Sequence, residues 1–149
     1  MAKRLFEQCS ITLNTYDVSA DVHTAEVVTG RRAPVDVTGL ADTYDSYLVP
    51  NLRNWGIRLQ YYNNFAGTSE SPTGIATVLQ QVYNSTNTTG VAIVFRATTA
   101  ARSVNNPEWQ GQVQIDGDFQ QTAGGVAEAD KGSVNFKGLG ILVRATSTS

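Results

Sequence analysis

The sequence predicts a mainly β fold, an antiparallel β-sandwich or open barrel with one flanking α-helix. Three observations carry this. The stretch Asn106 to Gln121 alternates from Trp109 onward. Trp109, Val113, Ile115 and Phe119 fall on one side, with Gly111 and Gly117 as spacers. Glu108, Gln110, Gln112, Gln114, Asp116, Asp118 and Gln120 fall on the other. A period of two marks a strand, because successive side chains leave opposite faces of a sheet. The second observation is a single segment of helical spacing, with Ile75, Val78, Leu79 and Val82 at i, i+3, i+4 and i+7. The third is the lack of any βαβ rhythm or internal repeat, which leaves runs of antiparallel strands around one helix.

The elements follow in order. Arg4 to Leu13 alternates, with Cys9, Ile11 and Leu13 against Gln8, Ser10 and Thr12, and reads as a first strand. Asn14 to Asp21 is rich in Asn, Asp and Ser and reads as a turn. His23 to Val28 is a second strand, with Thr24 and Glu26 outward. Thr29 to Asn51 is long for a connection and holds Gly30, Pro34, Gly39 and Pro50, with a short strand around Val35 and Val37. Connections of this length inside one domain are often functional. Asn54 to Phe65 is a strand in which Trp55, Ile57, Leu59 and Tyr61 alternate with Arg58, Gln60 and Tyr62. Ser71 to Tyr83 is the helix, with Ser71 as N-cap and Pro72 in its first turn. Val91 to Arg96 is a strand. Thr98 to Asn106 is loop, and Gln121 to Gly132 is a flexible connection. Ser133 to Arg144 is the last strand. Its apolar phase switches between Phe136 and Leu139, so Gly138 or Gly140 marks a bulge.

At 149 residues the chain reads as one domain, 1–149, with a long loop at about 30–50. The net charge of −2 excludes broad electrostatic attraction to nucleic acid or acidic membranes. Cys9 is the only cysteine, so an intrachain disulfide and a thiolate metal cluster are excluded. The N-terminal residues contain no apolar run of the secretory kind, and no stretch has the length of a membrane span, so neither is expected. Asn84-Ser85-Thr86 and Asn87-Thr88-Thr89 fit the glycosylation pattern but read as a polar loop after the helix.

Catalytic chemistry finds little support. His23 is the only histidine and has no nucleophile partner in sequence. Cys9 lies on the apolar phase and reads as a small buried hydrophobe. Asp116 and Asp118 share a strand face, and a solvated face explains them better than a calcium corner, which draws several oxygens from one loop. Asp17 and Asp21 read as turn caps. Trp55 and Trp109 are in phase with aliphatic residues, which favours core packing over a carbohydrate platform. Arg31-Arg32 is too short a basic run for nucleic-acid binding. No phosphate loop, zinc spacing or nucleophile elbow occurs, so the sequence predicts no enzyme, metal or cofactor. The long loop carries Leu40, Tyr44, Tyr47 and Leu48, an apolar load that a solvated loop does not need. It either folds back on its own domain or lies on another subunit.

Several stretches together carry a family resemblance. They are Val49-Pro50-Asn51-Leu52-Arg53-Asn54-Trp55-Gly56-Ile57-Arg58-Leu59 with Asn63-Asn64-Phe65; the short helix followed by Val91 to Arg96; Asn106-Pro107-Glu108-Trp109-Gln110-Gly111; and the ending Gly140 to Thr146. In this order the chain resembles, over nearly its whole length, the tail tube (major tail) proteins of long-tailed bacteriophages with non-contractile tails. The resemblance implies a β-sandwich with a flanking helix, assembled as homohexameric rings. The rings would stack into a hollow tube in the virion tail, a conduit through which DNA passes without specific binding. It also implies assembly in the host cytoplasm, other tail proteins at the tube ends and no membrane. A long loop reaching a neighbouring subunit belongs to the same picture, and Gly30 to Pro50 occupies that place. Related folds serve in contractile tails, secretion-system tubes and head–tail completion, so a head–tail completion or capsid decoration protein is the alternative, with a β-sandwich ligand-binding module as a third.

Two sets of residues follow as expectations. Leu40, Tyr44, Tyr47 and Leu48 would form a subunit interface. Glu108, Gln110, Gln112, Gln114, Asp116 and Asp118 would line the channel, on a strand face without Lys or Arg. No basic residue occurs between Arg102 and Lys131.

Overall fold

The computed structural model describes residues 9–31, 33–48, 53–68, 70–86 and 88–147. The elements are β1 (Ser10–Leu13), β2 (Tyr16–Asp17), β3 (Val22–Arg31), β4 (Val35–Asp36), β5 (Tyr47–Leu48), β6 (Arg53–Tyr62), α1 (Ile75–Asn84), β7 (Val91–Arg96), β8 (Glu108–Ile115), β9 (Gln120–Ala123) and β10 (Lys131–Ala145). Eight strands form one antiparallel sheet in the order β2-β1-β7-β8-β10-β6-β3, with β9 also paired to β10. The sheet curls into a half-barrel and α1 packs inside the curl. Of the two architectures read from sequence, the open barrel is the one formed. β4 and β5 make a separate hairpin.

The inner face of the sheet and the apolar stripe of the helix form a single core. Ile11, Leu13, Ile57, Leu59, Ile93, Val113, Val134 and Phe136 come from the strands, and Ile75, Val78, Leu79 and Val82 from α1. Cys9 is buried with them. Period two in the strands and 3.6 in the helix thus place their apolar residues where those periods require.

Two aromatic side chains of β6 lie on glycines of β10. A Cβ at Gly138 would overlap the Trp55 indole, and a Cβ at Gly132 would crowd the Tyr61 ring. The Trp55 indole N–H donates to the Gly140 carbonyl at 3.1 Å, and the Tyr61 hydroxyl to the Gln120 carbonyl at 3.0 Å. Gly140, at φ +75°, sits in the bulge where the β8–β10 register shifts between Leu139 and Val143. Of the two glycines offered by the sequence, Gly140 makes the bulge and Gly138 makes room for the indole.

Four sequence expectations change. The organising strand stops at Ile115 and resumes at Gln120, because residues 116–119 turn through Gly117 at φ +70°. β8 and β9 therefore lie end to end against β10. Part of the segment expected to be a flexible connection is this β9. The helix starts at Ile75, not Ser71, with Gly74 as N-cap and no side-chain cap of its own. Its first amides are satisfied from elsewhere: Ile75 N donates to Asp21 Oδ2 at 3.1 Å and Ala76 N to the Asn64 carbonyl at 3.1 Å. Lastly, Trp109 is half-buried at the margin of the core, under the Arg144 guanidinium at 5.6 Å from its ring centroid. Residues 4–8 of the expected first strand lie outside the described residues.

Candidate assembly surfaces and channel face

The hairpin of β4 and β5 projects its apolar side chains into solvent. Leu40 is fully exposed, Tyr44 is 84% exposed, and Tyr47, Leu48, Val35 and Val37 are all exposed. Its shape is held locally. Val37 N donates to the Ser46 carbonyl at 2.8 Å, Ser46 N to Thr38 Oγ1 at 2.8 Å, and Gly39 N to Asp42 Oδ2 at 2.7 Å. Asp36 Oδ1 accepts from Thr38 N at 2.9 Å, and hydrogen bonds from Thr38, its hydroxyl first, hold the Asp36 carboxyl below the ordinary carboxylate range. The turn is thus closed by its own polar groups, while its apolar side chains are left exposed. Over 33–48 these apolar side chains stand outside the buried core.

The second candidate surface is the polar face of the sheet, opposite the core. Antiparallel partners share a face, so the register gives its rows. Gln110 lies beside Val94 and Val143; Gln112 beside Ala92 and Leu139; Gln114 beside Lys137. Farther along, Asn135, Arg58 and Glu26 form another row. Gln112 and Gln114 are exposed on β8, and Asp116 and Asp118 are exposed in the 116–119 turn beyond it.

Glu108 and Gln110 are half-buried and engaged. Glu108 Oε2 is 3.6 Å from Arg96 Nε, and Glu108 Oε1 is 3.4 Å from Arg102 Nη1 and also accepts from the Gln110 amide. This cluster closes the end of the sheet, since Arg102 Nε donates to the Ser147 carbonyl at 2.6 Å. The expected row of six therefore divides into four exposed polar side chains and two that belong to an ion-pair cluster.

Sequence reading missed Lys137, Arg58 and Glu26 as members of this face. The alternation within β6 had already set Arg58 outward, but only strand pairing shows that Lys137 stands beside Gln114. The face is mixed in charge, not free of cations. Arg58 and Glu26 approach to 3.9 Å with both side chains largely exposed, a contact of little energetic weight.

Among the described residues no group of three or more His, Cys, Asp or Glu is arranged to hold a metal ion, and no helix is long and apolar enough to cross a membrane. His23 is exposed at a β-bulge and tilts against the Tyr62 ring at 4.7 Å between centroids.

No family model matches the sequence, and no curated protein matches it. Solved structures do match the fold. One is a chain from the virion of a native gene transfer agent particle, at TM-score 0.66 and 16% identity, covering 97% of this chain and 100% of that one. Another comes from the tail of an empty gene transfer agent particle with C6 symmetry, at TM-score 0.64 and 12% identity, covering 98% and 100%. A third is the SPP1 tail tube, at TM-score 0.62 and 12% identity, covering 95% and 78%. The curled sheet and single helix of this chain therefore have the fold found in these tail structures, the SPP1 tail tube among them.

Proposed function

We propose that the protein is a tail tube subunit of the long, non-contractile type. Six copies form a ring, rings stack into a hollow tube in the virion tail, and DNA leaves through the channel without being specifically bound. The carrying observation is the correspondence of nearly the whole chain to a chain of a six-fold symmetric tail. Two features of the subunit support the same reading. Among the described residues the sheet ends in edges at β2 and β3, and an open edge is a template for pairing with another chain. The hairpin carries exposed apolar side chains. A contact between two different patches of identical subunits generates a ring when the rotation closes and a filament when it does not. In this reading the role is structural and not enzymatic. The hairpin contacts a neighbouring subunit, α1 lies on the outer side of the tube, the polar face of β8 lines the lumen, and other tail proteins meet the tube ends after assembly in the host cytoplasm.

Electron microscopy of the purified protein tests the reading, with six-fold rings and stacked tubes expected. Monodisperse monomers at high concentration over a wide range of salt and pH overturn it. A variant lacking residues 38–47 should remain a folded monomer and cease to polymerise, since the deletion removes Leu40 and Tyr44 but no core residue. Normal tubes from that variant would remove the hairpin from the interface.

A further inference from the structure

We propose that the β4–β5 hairpin of one copy docks, by charge as well as apolar contact, in the tryptophan-lined basic hollow of another copy, between the ends of β3, β6 and β10. The inference rests on the assembly reading above and names the receiving surface. The hollow has a volume of about 680 Å³, and its lining includes Arg31, Arg53, Trp55, Trp109 and Ile141. Ile141 is exposed in the β10 bulge.

The two arginines are the informative feature. Arg31 and Arg53 are directly opposed across the β3–β6 ladder, an arrangement of like charges that destabilises a strand pair. Among the described residues no carboxylate lies within ion-pair distance of either. Arg144, stacked on Trp109, adds a third guanidinium to the same margin. A hollow that gathers cations without an anion of its own is complementary to an acidic partner.

The hairpin has that chemistry. Residues 33–48 hold three aspartates, Asp36, Asp42 and Asp45, and no Lys or Arg. They also hold Leu40 and Tyr44 at the tip, ready to cover Trp109 and Ile141. A second hollow, of about 290 Å³ beside α1, is lined by Phe65, Leu79 and Phe119 among others, with no charged residue. It offers apolar cover but nothing for the aspartates, so charge selects the first.

Paired charge reversal tests this. One variant carries R31E and R53E, which keeps two like charges opposed and so leaves the ladder much as it was. The other carries A41K, T43K and D45K, which reverses the sign of the hairpin and retains Asp36 and Asp42, the acceptors that close its turn. In analytical ultracentrifugation each variant alone should lose the self-association of the native chain, and an equimolar mixture should regain it. Assembly of either variant alone at the native level overturns the proposal, and so does a mixture that stays monomeric while both variants keep native circular dichroism. The native chain supplies a test that needs no variant. Raising salt to about 1 M, where the screening length falls to roughly 3 Å, should weaken its association, and indifference to salt counts against the proposal. Sedimentation reads the docking and micrographs read the tube. A native chain and a variant mixture that associate without forming rings sink the tube reading alone, whereas charge-reversed variants that form tubes sink the docking alone.

Discussion

Gly138 shows how one missing side chain organises its surroundings. The Trp55 indole occupies the space where a Cβ would stand, and its N–H reaches the Gly140 carbonyl two residues on. Gly138→Ala must displace a ring that is enclosed and hydrogen-bonded, so we expect a loss of about 1–3 kcal/mol in urea unfolding, the usual cost of overpacking, with a shift of tryptophan fluorescence. A neutral result would mean that the indole leaves without cost. Tyr61 makes the companion case. It is 1% exposed, and burial pushes its hydroxyl up to about 12 from an ordinary value near 10. The folded state favours the neutral phenol, so this contribution is complete below pH 10 and is lost as pH rises toward 12. The gap corresponds to at most roughly 3 kcal/mol. Urea unfolding between pH 9 and 12 should show this loss, and Tyr61→Phe should flatten it. A slope unchanged in the phenylalanine variant would assign the alkaline loss to another group. Neither glycine contact was legible in sequence, because Gly132 read as the end of a flexible connection and Gly138 as a candidate bulge, and space beside a ring is set by the neighbouring strand.

At the scale of elements, the helix shows what sequence can and cannot carry. Its apolar stripe is periodic, and all four predicted residues are buried. Its start was misplaced because Ser71 and Pro72 form a familiar N-terminal signal, while the cap in use comes from far along the chain. Asp21, at the entry to β3, receives the Ile75 amide on one carboxylate oxygen and the Asn64 side-chain amide on the other. Gly74 is needed there, since a Cβ would overlap the Asn64 carbonyl. The anion also meets the positive end of the helix dipole. Asp21→Ala should cost about 0.5–2 kcal/mol, the range for losing an N-cap, and should speed hydrogen exchange at Ile75 and Ala76 more than in β7 or β8. Equal protection at the helix start would show that water replaces the carboxylate without cost. The same logic explains β8: alternation was visible, but the interruption at 116–119 conserves the inward phase of Phe119, whose ring meets Tyr83 at 5.8 Å between centroids. A pattern that keeps its phase through a turn reads as unbroken.

For the whole molecule the decisive quantity is the charge of the face that would meet DNA. Duplex DNA carries about one negative charge per 1.7 Å of axis, and each phosphate neutralised by Lys or Arg strengthens binding through counterion release. Within the face, Arg96 and Arg102 share the single Glu108 carboxylate, and Arg58 stands beside Glu26. Lys137 lies next to Gln114, and Asp116 follows closely, its N–H donating to the Asn135 carbonyl at 2.8 Å. Asp116 and Asp118 thus offset an otherwise slightly basic strip of exposed side chains. If this face lines the lumen, the aspartates keep it from holding the genome. Asp116→Lys with Asp118→Lys would turn two negative charges per chain into two positive ones. Both residues are exposed and lie in a turn outside the sheet core, so folding and assembly should continue. Repeated around every ring and along every stacked ring, the new cations would form one continuous adhesive path. Particles carrying the double variant should release DNA more slowly, and raising the salt concentration should restore part of the rate, because screening weakens phosphate contacts. Release at the native rate, or a density map with Asp116 on the outer surface of the tube, would place the lumen on another face of the sheet.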